Sequence, residues 1–128
     1  QKDTLIYNTR KDLERMLGGK VYQCNDCDEK PEFPGGAKEL IKFLGKNINY
    51  PPISGDHFHT RILVQCVIDK DGSVKDSKVI HPAYLMNDNY CVRESIRVVS
   101  SMPKWKPGKV GGKPVACLFT IPVMFRLQ

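Results

Sequence analysis

Cys24-Asn-Asp-Cys27 is the spacing in this chain with the most definite chemical content. Two thiols so placed can close a local disulfide, act as a redox pair, or supply half of a tetrahedral metal site. A redox pair of the thioredoxin kind opens a helix inside a strand-helix-strand unit, and no such unit surrounds these residues. A zinc site needs two more ligands. His57-Phe-His59 offers two imidazoles on one face of an extended segment, but the C-x2-C…H-x-H spacing departs from the usual zinc patterns. If the chain works in an oxidising compartment, a local Cys24–Cys27 disulfide is the favoured reading, with unpaired thiols as the further alternative. The total of five cysteines leaves at least one unpaired or pairing between chains.

The other candidate groups read more plainly. Cys66 and Cys117 fall in phase with the core-facing residues of two strands, as small buried hydrophobes do. Cys91 lies near a helix start, where a thiol can be acidified, but no base is placed beside it. His81, before Pro82, reads as a strand-end residue. The chain has no G-x-S-x-G, no H-E-x-x-H, no phosphate loop and no carboxylate pair of defined spacing. "GKVGGKP" leads into a strand, so no helix N-terminus awaits an anion there. No catalytic or metal residue is assigned, no cofactor is expected, and the chain does not read as an enzyme.

The elements that would position these groups follow from periodicity and punctuation. "TRKDLERML" (9–17) predicts a short helix capped by Thr9, with Leu13, Met16 and Leu17 on one face and Gly18-Gly19 ending it. "KVYQC" suggests a short strand, and "NDCDEKPEFPGG" reads as a loop because Pro31 and Pro34 deny it helix. Ala37, Leu40, Ile41, Leu44 and Ile48 form one stripe of a helix that Pro51-Pro52 stops, and Tyr50 is pushed to extended geometry by the proline after it. "RILVQCVIDKDGSVKDSKVI" predicts a hairpin turning at Asp71-Gly72, its outgoing strand apolar on both faces and therefore central. A second helix is predicted over 89–102, with Val92, Ile96 and Val99 on one face, Ser95, Val98 and Met102 beside them, and Pro103 at its end. "VACLFTIPVMF" is the last strand, and Pro122 places part of it at a sheet edge because proline donates no ladder hydrogen bond. The fold class expected is α+β: two helices packed on one face of a three-stranded antiparallel sheet, with residues 1–30 a small N-terminal extension and 31–128 the domain.

A chain of 128 residues is enough for one domain with a modest core, and no apolar run approaches the length of a membrane-spanning helix. The net charge of +6 comes from 20 basic and 14 acidic residues, scattered and often adjacent. That pattern describes a solvated surface with mild positive excess, and nucleic acid is not an expected partner.

Several stretches together resemble one family. "PEFPGG", a helix, "NYPP", the hairpin, and then "SMPKWKPGKVGGKPVACLFTIPVMFRL" are similar to the C-terminal domain of TonB, over roughly residues 31–127. The resemblance implies a periplasmic domain that binds the TonB box, a short extended segment of a TonB-dependent outer-membrane transporter, by adding it as a strand. Such domains serve energy-dependent uptake of iron chelates, cobalamin or glycans, and are driven through a stalk by an inner-membrane motor complex. By position, the pairing strand would be Val115, Ala116, Cys117, Leu118, Phe119, Thr120 and Ile121, with Tyr50-Pro51 as the family's contact element and Trp105 as a packing anchor.

The membrane anchor and Pro-rich spacer of a force transducer are not among these 128 residues. Either the chain is trimmed from an anchored protein, or it is a free-standing secreted or lipid-anchored relative that transmits no force. A relative of that second kind would hold peptidoglycan through its basic surface, or form a homodimer through the same edge strand. Residues 1–30 are neither Pro-rich nor low in complexity, which suits a folded extension better than a spacer.

Overall fold

The computed structural model describes residues 14–15, 18–49, 58–81 and 90–127. In chain order these form β1 (Val21–Gln23), a 3-10 turn at Cys24–Asp26, α1 (Ala37–Asn47), β2 (Phe58–Ile68), β3 (Val74–His81), α2 (Tyr90–Ser100), β4 (Gly108–Val110) and β5 (Lys113–Leu127). Of the helix expected over 9–17, Glu14 and Arg15 are described and helical. Gly18 donates its N–H to the Glu14 carbonyl at 2.9 Å, as a helix end does. The remainder of that helix, with Thr9, Leu13, Met16 and Leu17, lies outside the described residues.

β2 and β3 form the expected hairpin, and its turn is chemically specified. The Asp69 N–H donates to Ser73 O, the Gly72 N–H to Asp69 O, and the Ser73 N–H to the Asp71 carboxylate at 2.9 Å. Gly72 has φ +90°, a region open to glycine. A Cβ on Gly72 would also stand 2.1 Å from the Trp105 carbonyl oxygen, so the turn and the loop after α2 touch backbone to backbone. β5 returns antiparallel along β2 from Phe58↔Leu127 to Ile68↔Cys117.

The expected three-stranded antiparallel sheet is therefore only part of the sheet. Among the described residues the sheet has five strands and is mixed: the order is β1-β5-β2-β3, with β4 also on β5. β1 runs parallel to β5 in the register Val21↔Ala116, Tyr22↔Cys117, Gln23↔Leu118, and β4 folds back on β5 as a hairpin. The two additional strands are three residues long, too short for alternation to announce a partner.

The helices cover one face of the sheet. Ile62, Val64, Cys66 and Ile68 of β2 and Ile121, Val123 and Phe125 of β5 meet Val92, Val98 and Val99 of α2 in the main core. On the reverse face Val21, Val67, Ala116 and Leu118 form a second, smaller core, which ties β1 to the sheet. Each fully buried aliphatic side chain contributes about 1.5–3 kcal/mol. α1 departs from its expected stripe: Leu40, Phe43 and Leu44 face the core, whereas Ile41 is 70% exposed. One residue turns a helix by about 100°, so a footing centred on Leu40 and Phe43 leaves Ile41 outside.

Candidate protein-docking edge

β5 has two long sides. One is occupied by β2 along residues 117–127. On the other, β1 pairs with Ala116–Leu118, while β4 pairs with Lys113–Val115 ahead of the stretch that runs along β2. The chain then turns away at Cys24–Asp26, and from Phe119 onward no described strand lies beside this side.

Pro122 shows which backbone groups face that opening. It lies opposite Leu63 within an unbroken register, so its missing N–H belongs to the side away from β2. By the alternation of an antiparallel ladder, Thr120 and Met124 share that orientation. Thr120, Pro122 and Met124 are also exposed, whereas Ile121, Val123 and Phe125 are buried toward the helices. Among the described residues, the backbone groups on this side of the open stretch have no strand partner, and they lie beside a packed interior face.

The strand expected to meet a partner, Val115 to Ile121, is split by this arrangement. Val115, Ala116, Cys117 and Leu118 are engaged by this chain's own β4 and β1, while Phe119, Thr120 and Ile121 border the opening. Tyr50 and Pro51 lie outside the described residues.

The segment leading into Tyr50 and Pro51 is described, and it is tightly held. Glu94 of α2 is buried, and its carboxylate accepts the Asn49 N–H at 2.6 Å and the Arg97 Nε–H at 2.8 Å. Arg97 also donates from Nη2 to Asn47 O at 2.8 Å, and the Tyr90 hydroxyl donates to Asn49 O at 3.0 Å. The hydrogen-bonded Arg97 guanidinium, with the Asn49 N–H, holds the Glu94 carboxyl below the usual carboxylate range. These residues were not singled out by the sequence reading, because a Glu and an Arg three apart on a helix look like an ordinary surface pair.

Trp105 is the anchor that the sequence suggested. It is buried, stands edge-on to Phe33 at 5.6 Å and to Phe119 at 5.1 Å between ring centroids, and Phe33 in turn meets Phe43 at 5.5 Å. Backbone bonds between Glu32 and Lys106, at 2.8 and 3.0 Å, fasten "PEFPGG" to the same loop. Aromatic packing thus runs from that loop through Trp105 to β5 at the point where its outer side opens.

All five cysteines are thiols in the structure. Cys66 is buried and its thiol is pushed up to about 12, which fits a small core residue. Burial also pushes the Cys91 thiol up, against the acidified alternative. Cys24 is half-buried, and Cys27 places its sulfur 2.8 Å from that of Cys117. His57 lies outside the described residues, and among the described residues no group of three or more His, Cys, Asp or Glu is placed to hold a metal. Among them, too, no helix is long and apolar enough to cross a membrane.

Comparison with protein families gives a match over residues 47–127, from the end of α1 through β5, to the family described as Gram-negative bacterial TonB protein C-terminal. The chain belongs to this TonB C-terminal family. Its members are periplasmic, non-enzymatic protein-interaction domains of energy transducers, and they meet TonB-dependent transporters. No curated protein matches the chain. The matched span of this TonB C-terminal domain contains the antiparallel trio β3-β2-β5, α2 and the Trp105 loop. β1, "PEFPGG" and most of α1 lie before it.

Proposed function

We propose that this TonB C-terminal domain docks the TonB box of an outer-membrane transporter as an added strand on β5, along the stretch from Phe119 to Phe125. The uptake it serves is energy-dependent, of nutrients such as iron chelates, cobalamin or glycans. An inner-membrane motor complex would act through chain outside these 128 residues. The observation that carries this reading is the outer side of β5, along which no described strand follows β1. β1 already lies on that side in extended form, so the edge accepts a short strand whose main-chain bonds supply affinity. Trp105 and Phe119 brace the strand from beneath, and the Glu94–Arg97 pair fixes the approach to Tyr50-Pro51.

Thr120→Pro is the direct test. Proline there shares the orientation of Pro122, so it removes a donor from the open side and leaves the pairing to β2 intact. Calorimetric titration with transporter box peptides should show binding by the parent chain. The variant should lose it while keeping the parent's circular dichroism and melting temperature. A folded Thr120→Pro chain that still binds would overturn strand addition at this stretch. A parent that binds no box peptide would overturn the docking function. Growth of mass with concentration in light scattering would then indicate a homodimer through this edge, and salt-sensitive retention on peptidoglycan would indicate a wall-binding protein.

A further inference from the structure

We propose that Cys27 and Cys117 form a disulfide that fastens the N-terminal extension across the edge of β5. The two residues are 90 apart in sequence, yet their sulfur atoms face each other at 2.8 Å within the buried interior, and a disulfide closes at about 2.05 Å.

The chain is held on both sides of Cys27, so this approach is imposed by structure. Before it, β1 is paired residue by residue with Ala116–Leu118. After it, Asp28 and Glu29 donate their N–H groups to Lys109 O at 2.8 and 3.2 Å, and Lys109 returns one to Glu29 O at 2.9 Å. The Asp28 carboxylate also accepts the Gly111 N–H at 2.7 Å. Cys27 itself leaves the 3-10 turn in extended geometry, φ −88° and ψ 144°. From the far side, Gly108 of β4 backs the Cys117 sulfur so closely that a Cβ there would stand 2.5 Å from it. In the dithiol form, burial and the facing Cys27 thiol push Cys117 up to about 12.

The redox step balances with a disulfide-bearing oxidant, the class an oxidising envelope supplies. The Cys27 thiolate attacks the oxidant's disulfide, forming a mixed disulfide and releasing one thiolate. The Cys117 thiolate then attacks the Cys27 sulfur, forming the Cys27–Cys117 bond and releasing the second. Two protons pass to the two released thiolates, and two electrons reduce the oxidant. Because Cys117 is fully buried in the folded chain, the bond forms as β1 docks during folding.

The test uses the whole chain refolded in oxidised and reduced glutathione, alkylated, and digested with trypsin together with an enzyme that cuts before aspartate. Cleavage before Asp26 separates Cys24 from Cys27, so mass spectrometry reads each thiol by itself. The expected result is one cross-linked pair carrying Cys27 and Cys117, lighter than the separate peptides by two hydrogens, with Cys24, Cys66 and Cys91 alkylated. A Cys24–Cys27 link, any other pairing, or alkylation of all five cysteines would overturn the proposal.

Discussion

Replacing Gly72 by alanine tests how the hairpin turn and the Trp105 loop depend on each other. Two costs arise at this position, and they can be separated. The first is conformational: φ +90° is a region that an L side chain adopts at a cost of about 1–2 kcal/mol. The second is steric. A Cβ would stand 2.1 Å from the Trp105 carbonyl oxygen, a backbone atom with no rotamer to yield, so the loop itself must move. Movement breaks the Trp105 N–H to Gly72 O bond of 2.8 Å, worth about 1 kcal/mol, and disturbs ring contacts to Phe33 and Phe119 worth about 0.5–1.5 kcal/mol each. The expected loss is about 3–5 kcal/mol, a large share of a small domain's stability. Gly111→Ala is the internal control, because Gly111 has φ +60° but open space around its Cβ position, and should lose only about 1 kcal/mol. Urea unfolding followed by the fluorescence of Trp105, the only tryptophan, reads both variants with one probe. If Gly72→Ala costs no more than Gly111→Ala, the backbone contact does not hold the loop and the reasoning fails.

Phe33→Ala should lower the urea midpoint by an amount equivalent to about 3 kcal/mol, through lost burial and two ring contacts; a loss below about 1 kcal/mol would mean that "PEFPGG" is not fastened to Trp105. Glu94→Gln should flatten the acid limb of the stability curve. The folded carboxyl is held below its unfolded value, so its contribution is complete above that unfolded value and is lost as pH falls through the folded value. A chemical-denaturation series from neutral to acid pH that is parallel for parent and variant would refute this. Ile41→Lys should change stability by less than about 0.5 kcal/mol in thermal melts, because the side chain is 70% exposed; a larger loss would show that α1 rests on a different face.

Much of the architecture was written in local pattern. The alternation of Ile62, Val64, Cys66 and Ile68, with a further apolar set between them, marked β2 as central, and it lies between β5 and β3. Asp71-Gly72 announced the turn, Val92 and Val99 the buried face of α2, and Pro122 an edge, because each rests on a period or a backbone property that a few neighbouring residues determine. The docking edge was legible only in outline. Val115–Leu118 carry the alternation of a strand whether the strand beside them comes from a transporter or from Val21–Gln23, so sequence could name the edge but not its occupant. Ile41 matched the apolar stripe equally well, and only the position of α1 on the sheet decided that it faces water.

By itself the sequence determined the antiparallel trio, the two amphipathic helices, the Trp105 anchor and the family to which the chain belongs. Tertiary structure alone decided that β1 lies parallel on β5, that Glu94 holds Asn49, and that the thiol beside Cys27 is that of Cys117. The division has a physical cause. Period and turn chemistry are settled within about ten residues, by sterics and by which side chains shun water. Pairings across 45 to 95 residues depend on which complementary surfaces remain after the core has closed, and no local spacing encodes that choice.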